Sequence, residues 1–129
     1  MKIEHVAIWA KDIDKVCEFY RKYFSGRVQP LYHNPTKQFT SRFVTFDDEA
    51  RLEVMNRPDI KSVPGTMGEE RIGLAHLSFS VGSKEDVDRL TQQMSEDGIQ
   101  VVGQPRTTGD GYYESVVLDP EGNRVEITV

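Results

Sequence analysis

The sequence has one cysteine, Cys17, so neither an intrachain disulfide nor a cysteine-rich zinc cluster can form. It has one tryptophan, Trp9, and three histidines, His5, His33 and His76. Its apolar runs are only a few residues long, which excludes a bilayer-spanning helix. Basic residues are outnumbered, 16 against 21 acidic, for a net charge of −5. That balance argues against nucleic acid and against an anionic membrane surface as partners. The opening "MKIEHVAIW" lacks the long apolar stretch of a secretory signal. A cytoplasmic setting is the default for a chain with so little cysteine.

What remains is an ordinary globular composition, 37% hydrophobic and 29% charged over 129 residues. That length suits a single domain with a real core. Its periodicity runs strand, helix, then strands, and then does so again. Residues 3–9 alternate as a strand. "KDIDKVCEFYRKYF" follows, with Ile13, Val16, Cys17, Tyr20 and Phe24 at helical spacing, Asp12 as N-cap and Gly26 as stop. Strands are predicted near 27–33, 39–47 and 50–56. A Pro- and Gly-containing stretch, 57–72, reads as a linker. The second half opens with a strand at 73–81. A helix follows, capped by Ser83 with Asp86, striped by Val87, Leu90, Thr91 and Met94, and ended at Gly98. Strands near 100–104, 112–119 and 123–129 complete it.

The halves also match residue by residue. His5 and His76 lie 71 positions apart, as do Val16 and Val87. "FDDEARLEV" parallels "LDPEGNRVEI" with one insertion, so Arg51 matches Arg124 and Glu53 matches Glu126. Two copies are too few for a solenoid, and a pair of βαβββ modules fits better. The predicted fold is therefore α+β: module 1 about 1–56, linker 57–72, module 2 about 73–129, together forming a cupped mixed sheet.

Strand side chains alternate between faces. Leu52 and Val54, and likewise Val125 and Ile127, form clean apolar faces that should pack on the helices. His5, Glu53, His76 and Glu126 fall on the opposite, more polar faces. Two imidazoles and two carboxylates carry a charge of −2, which suits a divalent cation and is costly to bury otherwise. Nitrogen and oxygen donors of this kind fit Zn2+ or Ni2+, with Co2+, Mn2+ and Fe2+ as further candidates. The other chemistry-bearing residues have plainer readings. His33 lies beside a turn and has no counterpart in the repeat. Cys17 belongs to the inner helix stripe. Arg51 and Arg124 could orient neighbouring carboxylates. Of Tyr112 and Tyr113, alternation lets only one face the cavity. The glycines near 109–111 and the turn at 120–123 read as turn chemistry rather than a phosphate cradle.

On "IEHVAI…DIDKVCEFYRKYF", "RLEV", "LAHLSFSV" and above all "DPEGNRVEI", the whole chain resembles the vicinal oxygen chelate superfamily of glyoxalases, bleomycin-resistance proteins and dioxygenases. The resemblance implies paired βαβββ modules cupped around a metal, often completed across a homodimer. It implies a metal set of His5, Glu53, His76 and Glu126, the His-Glu-His-Glu order of the glyoxalase-I-like branch. Dioxygenases and fosfomycin thiol-transferases of the superfamily use only His, His and Glu. The implied activity is a metal-dependent lyase of the lactoylglutathione lyase type. Its small-molecule substrate would be a thiol adduct, the hemithioacetal of a 2-oxoaldehyde, isomerised through an ene-diolate. Glu126 would be the base, with Glu53 as its symmetric counterpart. The alternatives are another metalloenzyme of the superfamily (an epimerase, thiol transferase or ring-cleaving dioxygenase) or a non-catalytic binding or resistance protein. Two departures leave the thiol open. Trp9 stands where the glyoxalase pattern has an arginine for glutathione, and Asn56 sits one residue short of the pattern's asparagine.

Overall fold

The computed structural model describes residues 2–47, 49–62, 65, 67–70 and 72–129. The chain divides into two compact units, 1–64 and 65–129. Each has one helix and one mixed sheet, βαββββ in the first unit, where the strand after the helix is split in two, and βαβββ in the second.

In unit 1, β1 (His5–Trp9) leads into α1 (Ile13–Phe24), then β2 (Arg27–Val28), β3 (Tyr32–Asn34), β4 (Phe39–Thr45) and β5 (Arg51–Asn56). The strand order is β1-β5-β4-β2, with β3 also pairing with β4. β1 runs parallel to β5, and the remaining pairs are antiparallel. Unit 2 repeats the plan with β6 (Leu77–Ser80), α2 (Lys84–Glu96), β7 (Val101–Thr107), β8 (Tyr113–Leu118) and β9 (Arg124–Thr128). Its order is β6-β9-β8-β7, again with the first and last strands parallel. A parallel neighbour for the first strand is what a helical crossover allows and a hairpin does not.

The helices form where the apolar stripe and caps place them. Asp12 accepts a hydrogen bond from the Lys15 amide at 3.0 Å and starts α1. Ser83 accepts from the Asp86 amide at 3.1 Å and donates to the Asp86 carboxylate at 2.7 Å, closing a reciprocal cap on α2. α1 packs on β2, β4 and β5, burying Val16, Cys17 and Tyr20 with Val44, Leu52 and Val54. α2 packs on β7, β8 and β9, burying Val87, Leu90 and Met94 with Val117, Val125 and Ile127. Phe19 and Tyr23 are buried as well, so the apolar face of α1 is wider than the stripe read from spacing, and Phe24 is only half-buried.

Several local expectations are refined. Ser25, not Gly26, takes the left-handed conformation that stops α1, with φ 55°. Gly26 answers to space instead, since a Cβ there would lie 2.5 Å from Val44 Cγ1. The strand expected at 27–33 is two strands separated by Pro30, which lacks a ladder donor. The strand expected at 73–81 begins only at Leu77, so His76 stands one residue ahead of it rather than in its middle. The strand near 100–104 extends to Thr107, with register shifts on either side of Gly103 and with Pro105 tolerated because β7 ends its sheet. Among the described residues, no helix is long and apolar enough to cross a membrane.

Candidate functional site

The sheet faces turned away from the helices carry one imidazole–carboxylate pair in each unit. In unit 1, parallel pairing sets His5 beside Arg51 and Ala7 beside Glu53. His5 Nε2 lies 4.0 Å from Glu53 Oε2. The other ring nitrogen, Nδ1, is bonded to the Glu4 carboxylate, which in turn accepts from Arg51. The bond from His5, with the bond and charge of Arg51, outweighs desolvation and holds Glu4 below the ordinary carboxylate range. An Nδ1–H directed at a carboxylate leaves the lone pair on Nε2, the nitrogen that faces Glu53. Phe43 braces the same ring edge-on at 5.7 Å, and the Arg51 guanidinium lies 4.1 Å from the Phe43 ring centre.

In unit 2, His76 Nε2 lies 3.1 Å from Glu126 Oε2. Glu126 faces Ser78 across β6–β9 and Val116 across β8–β9. Its carboxylate is hydrogen-bonded to Ser78 and to Glu114, whose side chain projects from the same face of β8. Arg106 on β7 reaches Glu114 at 3.5 Å. The two carboxyls divide their protons unequally. Glu114 is raised to about 7, first by its bond to Glu126, then by burial and by the Glu126 charge. Burial also pushes Glu126 up, but the bonds from Glu114 and Ser78 and the His76 charge outweigh it, and Glu126 lies below its ordinary value.

The hairpin that delivers Glu126 has its own fastening. Asp119, buried at the start of "DPEGN", accepts from the Glu121 and Asn123 amides and from the Asn123 side chain, each at 2.9 Å. Gly122 supplies the positive φ of 84° that the turn requires. This turn sets the register of β9 on β8, and so the position of Glu126.

The structure thus brings His5 to Glu53 and His76 to Glu126. Among the described residues no three His, Cys, Asp or Glu side chains close around a single point. The donor chemistry nonetheless suits a divalent ion. Adjacent ligands on arms of about 2.1 Å sit about 3 Å apart, close to the 3.1 Å His76–Glu126 spacing, while the His5–Glu53 pair at 4.0 Å is wider. Arg51 and Arg124 do not hold the glutamates beside them: Arg51 pairs with Glu4, and Arg124 donates to the Gly68 carbonyl at 3.1 Å. Tyr113 turns to α2, donating to Asp88 at 2.7 Å, while Tyr112 is exposed. His33 lies in β3 against the Thr40 hydroxyl, at 3.3 Å. Cys17 is buried, its thiol pushed up to about 11 by desolvation. Asn56 is occupied with the β1–α1 turn, donating to the Ala10 carbonyl at 2.7 Å. Glu4, Glu114 and Arg106 are the polar neighbours that spacing alone did not single out.

Comparison with known proteins decides the family. The Glyoxalase/Bleomycin resistance protein/Dioxygenase superfamily matches residues 2–127. The chain belongs to this superfamily. A relative, the uncharacterized protein YqjT of Bacillus subtilis strain 168, is 37% identical over 128 residues, covering 97% of this chain and 96% of its own. Among solved structures, a glyoxalase family protein from Enterococcus faecalis matches with TM-score 0.78 and 26% identity, over 99% of this chain and 97% of that one. The trypanothione-dependent glyoxalase I of Leishmania major matches with TM-score 0.77 and 18% identity, over 99% and 86%. The last likeness is one of fold. The mixed α+β architecture, two helices on two mixed sheets, is that of the superfamily.

Proposed function

We propose that this chain is a glyoxalase-I-like lyase acting on the hemithioacetal of a 2-oxoaldehyde, with His5, Glu53, His76 and Glu126 holding one divalent ion, Zn2+ or Ni2+. The observation that carries the reading is the duplicated pair. At repeat-equivalent positions, on the polar face of each sheet, one imidazole meets one carboxylate. A structural ion pair would not need to be made twice with the same residue types.

Bound there, the ion would supply Lewis acidity, making the C–H beside the substrate carbonyl easier to ionise. The protein's own groups account for the proton. A carboxylate oxygen takes it from one carbon, leaving an ene-diolate, and returns it to the neighbouring carbon, so the hemithioacetal becomes the thioester of a 2-hydroxy acid. Glu126 suits that task because Ser78 and Glu114 keep it ionised and fixed in direction. Glu53, which lies 4.0 Å from His5 Nε2, is its symmetric counterpart. Glu4 fixes the ring of His5, so His5 acts as a ligand through Nε2 alone. The two units would act as one domain; the family resemblance implies a homodimer, and the single cysteine a cytoplasmic setting.

The test is metal content by elemental mass spectrometry on protein purified without chelator, beside Glu53→Gln and His76→Ala. The expected result is about one divalent ion per chain, lost in both variants, with hemithioacetal isomerisation by the wild type. A wild type that carries no metal and takes up neither Zn2+ nor Ni2+ would overturn the enzyme reading in favour of a binding protein.

A further inference from the structure

The face of unit 1 that carries His5 and Glu53 does not end with them. Alternation along β1 puts Trp9 on the side of His5, and along β5 it puts Met55 on the side of Glu53. Along β4 it puts Phe39 on the side of Phe43, which pairs with Glu53. Trp9 pairs with Met55, and Met55 with Ser41, so these side chains are neighbours on one surface. Phe39 meets Trp9 edge-on at 6.3 Å and Tyr32 at 6.2 Å. The Arg57 guanidinium lies 5.4 Å from the Trp9 ring centre. Although each meets Phe39, Trp9 is 41% exposed and Tyr32 55%. Apolar rings left open beside a polar pair are the usual lining of a ligand site, with the polar groups fixing orientation and the rings supplying affinity.

Charge selects what such a lining would take. Arg57 donates from Nε to Asp59 at 2.5 Å, so its positive charge is already answered by a carboxylate. The Arg57–Asp59 pair therefore offers no net charge to an anionic end group, whereas edge-to-face contact and the guanidinium plane both favour a flat, uncharged ring. Distance then sets the arm. Four residues of strand separate His5 from Trp9, about 13 Å at the usual rise. A substrate whose reacting oxygens lie at His5 and Glu53 would reach the rings through a chain of several bonds.

We propose that Trp9, Phe39 and Tyr32 form a subsite for an uncharged aromatic group at the far end of the substrate, so that the thiol-derived arm is apolar rather than a polyanionic peptide. This rests on the proposed function for the place of the reacting end, but the test of the subsite does not require a metal. Trp9 is the only tryptophan, so its indole N–H gives a single side-chain resonance in a 1H–15N spectrum. The metal-free protein would be titrated with 2-naphthylmethanol and, separately, with glutathione. The expected result is a saturable shift of the Trp9 indole resonance with the naphthyl alcohol and none with glutathione. Phe39→Ala should weaken the response by about fivefold. Tyr32→Ser, at an exposed ring, should weaken it too, without loss of folded dispersion elsewhere in the spectrum. No shift with the naphthyl alcohol, or a larger one with glutathione, would overturn the subsite. So would an indole resonance that moves with protein concentration alone, because the rings would then be covered by a second copy of the chain. Failure of the metal reading leaves the indole result standing, and failure of the indole result leaves metal content unchanged.

Discussion

Glu114 and Glu126 lie diagonally across the β8–β9 ladder, joined through their side chains, and cannot share one protonation state. Glu114 titrates near 7 against an ordinary value of 4.5. Between those two values the folded chain keeps a proton that the unfolded chain has released, so stability falls as pH rises through that window. Glu126 is displaced in the opposite sense, and its contribution is lost only as pH falls through its lowered value. Urea unfolding of the metal-free protein should therefore give midpoints that decline from about pH 5 to about pH 7. In Glu114→Gln, whose amide cannot ionise, that decline should flatten. An unchanged slope would mean that the proton is not held there. The four repeat-matched residues were legible in the sequence because two independent signals, duplication and alternation, agreed on them. Glu114 was not, because its role needs the β8–β9 register, which a buried aspartate and a turn set from a distance. Glu4 was missed for another reason. It precedes β1, where the pleat has not begun, so strict alternation would send it away from His5 although the two side chains meet.

Among the elements, the helices were readable almost to the residue, since caps and an apolar stripe are local signals. Strand ends were less so. Pro30 divides one expected strand, and Gly73 to His76 stay outside β6, because ladders depend on partners distant in sequence. Gly26 shows how a right residue can carry a different reason. Its neighbour Ser25 turns the chain, and Gly26 lets the turn lie against Val44. Gly26→Ala should then cost about 1–3 kcal/mol through overpacking, with no backbone penalty. Chemical denaturation would measure it, and pairing it with Val44→Ala should recover part of the loss of Gly26→Ala measured in the Val44→Ala background. A cost equal in both backgrounds would point to the helix end instead.

For the molecule as a whole, duplication was the most legible fact, and divergence between the copies the least. Arg51 binds a carboxylate while Arg124 binds a backbone carbonyl. His5 is buttressed by Glu4, whereas in the second unit it is the carboxylate, Glu126, that is buttressed. Under the proposed function both pairs serve one ion, and an ion so held would stabilise the fold as any ligand of the native state does. At a hundredfold excess over its dissociation constant, Zn2+ should add about 2.7 kcal/mol and raise the melting temperature. Chelator should reverse the gain, and Glu126→Gln or Glu53→Gln should each diminish it. If only one of the two substitutions matters, the ion belongs to one unit, and the shared site fails.

β7 closes the second sheet, and it does so with Pro105 and with register shifts on both sides of Gly103. A proline without an amide hydrogen and a broken ladder make a poor template for an incoming strand. That outer rim is thereby guarded against fibril growth, and a crowded cell could accumulate this protein without β7 recruiting its neighbours into a continuous sheet.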